Sequence, residues 1–391
     1  MLNSSQKKAL SSIQAFLIDD SQTSFCLDAP SGFGKTALLN NVIENYKDFL
    51  LKLKIMGSKF SLAVITSTAT TNKAASNMTE AQTIHRLIGL KPMYRGGLST
   101  RNASLVAPSI ILIDEASYIT EELYNHINTY CKGSKIIYVG DRYQLKGVNS
   151  TFSIFEKGYP TATLDIPMRQ DPDSPLYALC KYLRQCVIDQ VLPQWELFLN
   201  QDGIIFHDDT SYVAAVRDHF KRDDDAARII AYENAVVDGY NQAVMDIQGK
   251  QDMYAIGTKL ISRKYVPKLL FSEQPIVVNT VHYDVTPQGL PVLTVNGLYM
   301  VPLGDWYAKA LKKAADEKEW GTLYTLQEAY CEFSLGYALT TYKAQGSTYD
   351  AVFLDVRNII SGYALDTILR QLYVGVSRAR KEVHLYGTPL A

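Results

Sequence analysis

This sequence predicts an α/β chain with doubly wound parallel sheets, and three observations carry that expectation. Short continuous apolar runs alternate with longer amphipathic stretches. One of the first runs leads into a glycine-rich turn that opens a helix. A second alternating block follows the first and is interrupted by a proline-broken segment. With 391 residues the chain has length for two or three domains, each with a core of its own.

Residues 3–19 read as an amphipathic helix with Asn3, Ser4 or Ser5 as N-cap. Ser24–Asp28 is a short apolar strand, and Ala37 to about Leu53 is the helix after the glycine turn. Ser61–Thr66, Ile110–Asp114 and Lys135–Asp141 are continuous apolar runs of the kind buried on both faces of a parallel sheet. The second block begins near Thr163. It includes a strand at Arg228–Tyr232, a helix from about Asn234 to Gln248, a strand at Ala351–Asp355, a helix near Ala364–Val376 and a strand at Glu382–Tyr386. Between about 258 and 332, Pro267, Pro275, Pro287, Pro291 and Pro302 break up short β-like runs. That predicts a small β-rich insertion, followed by a helix around Trp306–Glu317.

A hydrophobic content of 47% with 20% charged residues is that of a soluble globular protein. No apolar run approaches the roughly 20 residues a membrane helix needs. The opening Met1–Lys8 lacks the apolar stretch of a signal peptide, so a cytoplasmic location is expected. Cys26, Cys131, Cys180, Cys186 and Cys331 form no CxxC pair, and the six histidines stand in no ligand-like spacing with them. They read as buried free thiols. A net charge of −1 neither advertises nor excludes nucleic-acid binding.

Residues 29–36 read Ala-Pro-Ser-Gly-Phe-Gly-Lys-Thr, a phosphate-binding loop. Gly32 and Gly34 let backbone N–H groups close around phosphate oxygens at a helix N-terminus. Lys35 supplies charge to the β- and γ-phosphates, and the Thr36 hydroxyl supplies a ligand to Mg²⁺. The loop departs from G-x-x-x-x-G-K-T at its first position, Ala29, where a modest adjustment of the turn is expected. Asp114 and Glu115 end an apolar strand. Asp114 is placed to hold the metal and Glu115 to polarise the attacking water. Gly140-Asp141-Arg-Tyr-Gln144 ends the next strand, with Gln144 as a candidate sensor of the γ-phosphate. The cofactors expected are ATP and Mg²⁺.

In this order the segments resemble superfamily 1 helicases, within them the 5′→3′ RecD-like branch, and there the compact phage Dda type. Gln6 matches the adenine-reading glutamine of that family, and Lys35 with Thr36 matches motif I. Residues 67–75 match motif Ia, which lies on single-stranded DNA, and Thr83-Ile-His85 matches the next DNA-contacting segment. Asp114 and Glu115 are motif II; Gly140, Asp141 and Gln144 are motif III. Met168-Arg169-Gln170 matches motif IV. Residues 338–346 match motif V, with Gly346 counted among the nucleotide-contacting residues, and residues 373–378 match motif VI. Relatives often carry histidine where this chain has Tyr342.

The resemblance implies two RecA-like domains with a small SH3-like insertion. Domain 1A would be residues 1–162, domain 2A residues 163–257 with 333–391, and domain 2B residues 258–332. Arg169 and Arg378 are the implied γ-phosphate arginines. Thr68, Thr70, Asn72, Lys73, His85, Thr341, Tyr342 and Lys343 are the DNA-contact candidates. Residues 89–107 stand where the family has its strand-separating pin, with Tyr94 or Leu98 as the wedge. The expected partners are single-stranded DNA and single-strand/duplex junctions, with single-stranded DNA-binding protein or replisome components beyond them. No membrane partner is expected. A monomer suffices, because both halves lie in one chain. Phage or mobile-element replication and recombination would be the setting. Two other readings compete. One is an RNA helicase; the other is an ATP-switched single-stranded DNA-binding or protein-displacing factor that does not unwind processively.

Overall fold

The computed structural model describes residues 2–57, 60, 64–92, 97–147, 150–168, 171–222, 226–266, 269–361 and 364–389. The chain divides into two compact units, Met1–Pro193 with Ala364–Ser377, and Gln194–Tyr363 with Arg378–Ala391. The first unit thus runs past 162, the boundary that the resemblance implies. It also takes in a helix, Leu365–Val376, that the resemblance places in the other domain. The physical reason is that this helix packs along Pro175–Asp189, which lies in the same unit.

The first unit is built on a six-stranded sheet in the order Gln82–Thr83, Ile65–Ala69, Ile110–Asp114, Lys135–Gly140, Ser24–Asp28, Thr161–Thr163. Every neighbouring pair is parallel. Side chains alternate between faces along each strand, and the cores follow that alternation. Phe25, Leu27, Ile110, Leu112, Ile137 and Val139 pack on one side with the helix Ser4–Ile18 and the helix Lys35–Glu44. Cys26, Ile111, Ile113, Ile136 and Tyr138 pack on the other with Ile84–Ile88 and Glu121–Tyr130. Burial on both faces explains why these strands are continuous apolar runs. Because all strands run the same way, their C-terminal ends share one edge, where ligands bind in open α/β sheets.

The long helix expected after the glycine turn is two helices, Lys35–Glu44 and Tyr46–Ile55, broken at Asn45. The strand expected at Ser61–Thr66 is Ile65–Ala69, with 61–63 outside the described residues.

The second unit holds a five-stranded parallel sheet in the order Ala338–Thr340, Ala227–Ala231, Tyr349–Asp355, Ala379–Tyr386, Ile204–His207. Two three-stranded antiparallel sheets are built from strands between Lys259 and Leu335. They share a core that includes Leu260, Leu293, Val295 and Phe333. Trp306–Asp316 and Trp320–Ala329 follow as helices. All five cysteines are buried and none is in a disulfide. Among the described residues no helix is long and apolar enough to cross a membrane.

Candidate nucleotide site

Strand Ser24–Asp28 delivers the chain to the loop at the C-terminal edge of the sheet. Ala29 is fully buried, and its N–H donates to Gly140 O at 2.8 Å, so it prolongs the strand. It is not among the residues with positive φ, so this position takes a methyl group. Gly34 is different. Its φ of 80° is left-handed, and a Cβ there would lie 2.2 Å from Met168 Sδ and 2.6 Å from Gln6 Nε2. Gly32 also has positive φ, and its carbonyl accepts from Met168 N at 2.8 Å.

Lys35 begins the helix, and its Nζ folds back onto Ala29 O at 2.7 Å and Pro30 O at 3.1 Å. The Thr36 hydroxyl bonds the Asp114 carboxylate. Burial first, and the neighbouring Glu115 charge second, raise the Asp114 pKa, while Lys35 and Thr36 work against the shift. Two adjacent carboxylates, one of them buried against a hydroxyl, form a hard oxygen-donor set that suits Mg²⁺. Glu115 takes φ 52°, an uncommon conformation for a side chain of its size. Its N–H donates to Asp114 Oδ1 at 2.8 Å, and its carbonyl accepts from the Thr70 hydroxyl at 2.9 Å. Backbone strain held in place by such bonds is typical of functional positions.

Gln6 is buried and does two jobs. It completes the capping box of the first helix with Asn3, and its Nε2 donates to Gly34 O at 3.1 Å. A cavity of about 350 Å³, at the lower end of roughly 300–1,000 Å³ for ligand pockets, is lined by Pro30, Ser31, Phe33, Tyr177, Arg184 and Tyr373 among others.

Motif III is held by a network whose outer members the sequence did not reveal. Asp28 Oδ2 lies 2.5 Å from Arg142 Nε. Burial, and then the Asp141 charge, keep Asp28 above the usual carboxylate range despite that partner. Asp141 accepts from Gln144 Nε2 at 3.2 Å and from Tyr373 Oη at 2.7 Å. Arg370 Nη1 donates to Arg142 O at 2.6 Å and Gln144 O at 2.8 Å, while its Nε pairs with Asp366. Gln144 is buried with its Oε1 lacking a hydrogen-bond partner among the described residues. Tyr373→Phe removes a hydrogen bond to a buried carboxylate, so it is expected to destabilise the first unit by about 1.5–3 kcal/mol. A urea melt checks this; an unshifted midpoint would mean Asp141 does not depend on the phenol.

The other sequence candidates are placed as follows. Thr68 is wholly buried, with its hydroxyl given to Leu112 O at 2.7 Å, so in this arrangement it serves the sheet. Thr70 is likewise bonded inward, to Glu115. Asn72 and Lys73, half-buried, lie on a short helix capped by Thr71. His85, half-buried, lies on another capped by Thr83, and burial lowers its pKa. Lys91–Pro92 and Leu98–Ser99 pair antiparallel, as a hairpin requires. Leu98 packs against the cluster around Ile84 and Leu123, and its N–H donates to Glu122 at 3.2 Å. Tyr94 and Arg169 lie outside the described residues.

In the second unit Thr340 caps the short helix Thr341–Ala344. Thr341 is buried, Tyr342 and Lys343 are half-buried, and burial raises the Tyr342 pKa. Gly346 has φ 75°. Arg378 is buried, with its Nη1 3.4 Å from Ser347 O and its own carbonyl accepting from Tyr349 N at 2.9 Å. Motif V and the motif VI arginine therefore meet within one unit.

Two family models match the chain, an AAA domain over residues 13–150 and a UvrD-like helicase C-terminal domain over residues 335–386. An uncharacterized protein of Acanthamoeba polyphaga mimivirus, R530, is 22% identical over an alignment covering 98% of this chain and 99% of that protein. Among solved structures, the chain is similar to the Pif1 helicase from Candida albicans, with TM-score 0.57 and 16% identity over 99% of this chain and 94% of that one. It is also similar to the Bacteroides Pif1 helicase solved with ADP-AlF3 and single-stranded DNA, with TM-score 0.56 and 16% identity over 100% and 93%. At such identity the likeness is one of fold, that of paired RecA-like α/β domains. The motif order, the AAA and UvrD-like C-terminal matches and that fold agree with the helicase resemblance of the sequence.

Proposed function

We propose that the protein is an ATP-dependent 5′→3′ DNA helicase that moves along single-stranded DNA and opens duplex at the junction. The observation that carries the reading is the convergence of Lys35, Thr36, Asp114 and Glu115 at one edge of the sheet. Lys35 binds phosphate oxygens once it leaves the Ala29 and Pro30 carbonyls. Thr36 and Asp114 hold Mg²⁺, which, when bound, neutralises charge on the β- and γ-phosphates. Glu115 orients and deprotonates the attacking water. Gln144 reports the γ-phosphate through its turn, while Arg169 and Arg378 stabilise the charge that develops there. Gln6 reads the base. Asn72, Lys73, His85, Tyr342 and Lys343 are the contacts proposed for the DNA strand, by polar bonds to phosphates and stacking on bases. The capture of single-stranded DNA by the similar Bacteroides protein supports DNA as the track.

The test is ATP-dependent strand displacement on two partial duplexes, one with a 5′ tail and one with a 3′ tail, with ATPase followed alongside. Unwinding only from the 5′ tail is expected. Unwinding from the 3′ tail would overturn the polarity. ATPase without unwinding on either would favour a switch-type DNA-binding factor. Equal stimulation of the ATPase by RNA would favour an RNA substrate.

A further inference from the structure

We propose that His219, Glu382 and His384, in the second unit, form a binding site for one divalent transition-metal ion of the zinc class. The site is separate from the Mg²⁺ site and independent of the helicase reading.

The topology makes the cluster. Ile204–His207 and Ala379–Tyr386 are neighbouring parallel strands, and the helix Asp209–Phe220 follows directly from the first of them. Glu382 and His384 are two residues apart on one strand, so they share a face. His219 comes to that face from the last turn of the helix.

Hydrogen-bond logic then points to a cation. His219 Nδ1 lies 3.1 Å from Ala215 O. A carbonyl only accepts, so Nδ1 carries the proton. That leaves His219 Nε2, 3.1 Å from Glu382 Oε1, presenting a lone pair to a carboxylate. Two acceptors at that distance are held together by a second proton or by a metal ion. His384 separates the two. Its Nε2 lies 3.6 Å from the same Glu382 oxygen, is buried, and has no hydrogen-bond partner among the described residues. The ring is only 5% exposed and is stacked on Phe353, with centroids 4.1 Å apart. A proton shared by His219 and Glu382 leaves that buried nitrogen unsatisfied; a metal satisfies all three groups.

The geometry fits. The three ligand atoms lie within 4.8 Å of one another. Zinc bonds of about 2.0–2.1 Å in a tetrahedron put ligand atoms roughly 3.3 Å apart, and the 3.1 and 3.6 Å separations bracket that spacing. His207 Nε2, 2.9 Å from His384 Nδ1, holds the other ring nitrogen, as partners of metal-binding imidazoles do. The Ala215 carbonyl does the same for His219. His219 and Glu382 side chains are 35% and 36% exposed, which leaves an entry path and room for water as fourth ligand. Two imidazoles and a carboxylate suit zinc.

The experiment uses the full-length, untagged protein, stripped with EDTA and titrated with Co²⁺. Expected is the strong visible absorption of four-coordinate Co²⁺, saturating at one equivalent and displaced by Zn²⁺. It should persist in Thr36→Ala, which weakens the P-loop metal site, and vanish in His219→Ala and in Glu382→Gln, whose positions are partly exposed and tolerate change. Absence of the signal, or its persistence in both variants, overturns the proposal. A readout on the wild-type protein needs no variant to fold. If the His219 ring resonances do not respond to added Zn²⁺, the pair is held by a proton alone and the proposal fails.

Discussion

Glu115→Gln is expected to bind ATP and to hydrolyse it about 10²–10⁴-fold more slowly than the parent, the range for loss of a general base. The substitution keeps size and shape. The backbone bonds that hold position 115 in its left-handed conformation, N–H to Asp114 Oδ1 and carbonyl to Thr70, do not involve the side chain. The turn should therefore survive while the proton acceptor is lost. Removing one of two neighbouring carboxylates also relieves the repulsion that raises Asp114, so metal binding is not expected to fall. Steady-state ATPase together with equilibrium binding of a fluorescent ATP analogue checks both halves. Turnover that stays high would place the base elsewhere.

Gly34→Ala is expected to abolish nucleotide binding, not merely turnover. One methyl group meets two obstacles. The backbone φ of 80° costs about 1–2 kcal/mol for any L side chain. The new Cβ would also stand 2.2 Å from Met168 Sδ and 2.6 Å from Gln6 Nε2. Met168 is a flexible side chain and can yield. Gln6 is fixed by its capping box and by its bond to Gly34 O, so the loop must move instead. A displaced loop loses the array of N–H groups that cradles phosphate. Calorimetric titration with ATP checks this. Lys35→Ala is the contrast, since it removes the charge and its bonds to Ala29 O and Pro30 O but adds no clashing atom. Wild-type affinity in Gly34→Ala would mean the loop re-forms on binding.

Much of this was legible in the sequence, for identifiable reasons. Ser24–Asp28 and Ile110–Asp114 are read to the residue, because strands buried on both faces are uninterrupted apolar runs with sharp ends. The second half of the strand Ile65–Ala69, Ser67-Thr-Ala69, is polar and looks like loop, so the apolar pattern places the strand too early. The Thr68 hydroxyl is satisfied by Leu112 O, which a single sequence cannot show. The phosphate-loop residues were legible because they are contiguous. The network around Asp141 was not, because Arg370 looks like a surface cation on an amphipathic helix and is in fact buried on two carbonyls. The His219, Glu382 and His384 group was invisible for a related reason. No spacing rule links residues that only strand order brings together.

The helix Leu365–Val376 belongs to the first compact unit, although chain of the second unit precedes and follows it. This has a consequence for biosynthesis. As the chain leaves the ribosome, the phosphate loop, Asp114, Glu115 and Gln144 are all made early. The residues that hold the Gly140–Gln144 turn, Arg370 and Tyr373, stand 226 to 232 positions later. A nascent first unit can build its sheet but leaves the Asp141 carboxylate without its phenol and Arg142 O without its guanidinium until the chain has been made past Tyr373. Closing contacts across so long a loop carries an entropy cost that only the completed chain recovers. The Gly140–Gln144 turn is thus withheld from full assembly until Arg370 and Tyr373 have been made.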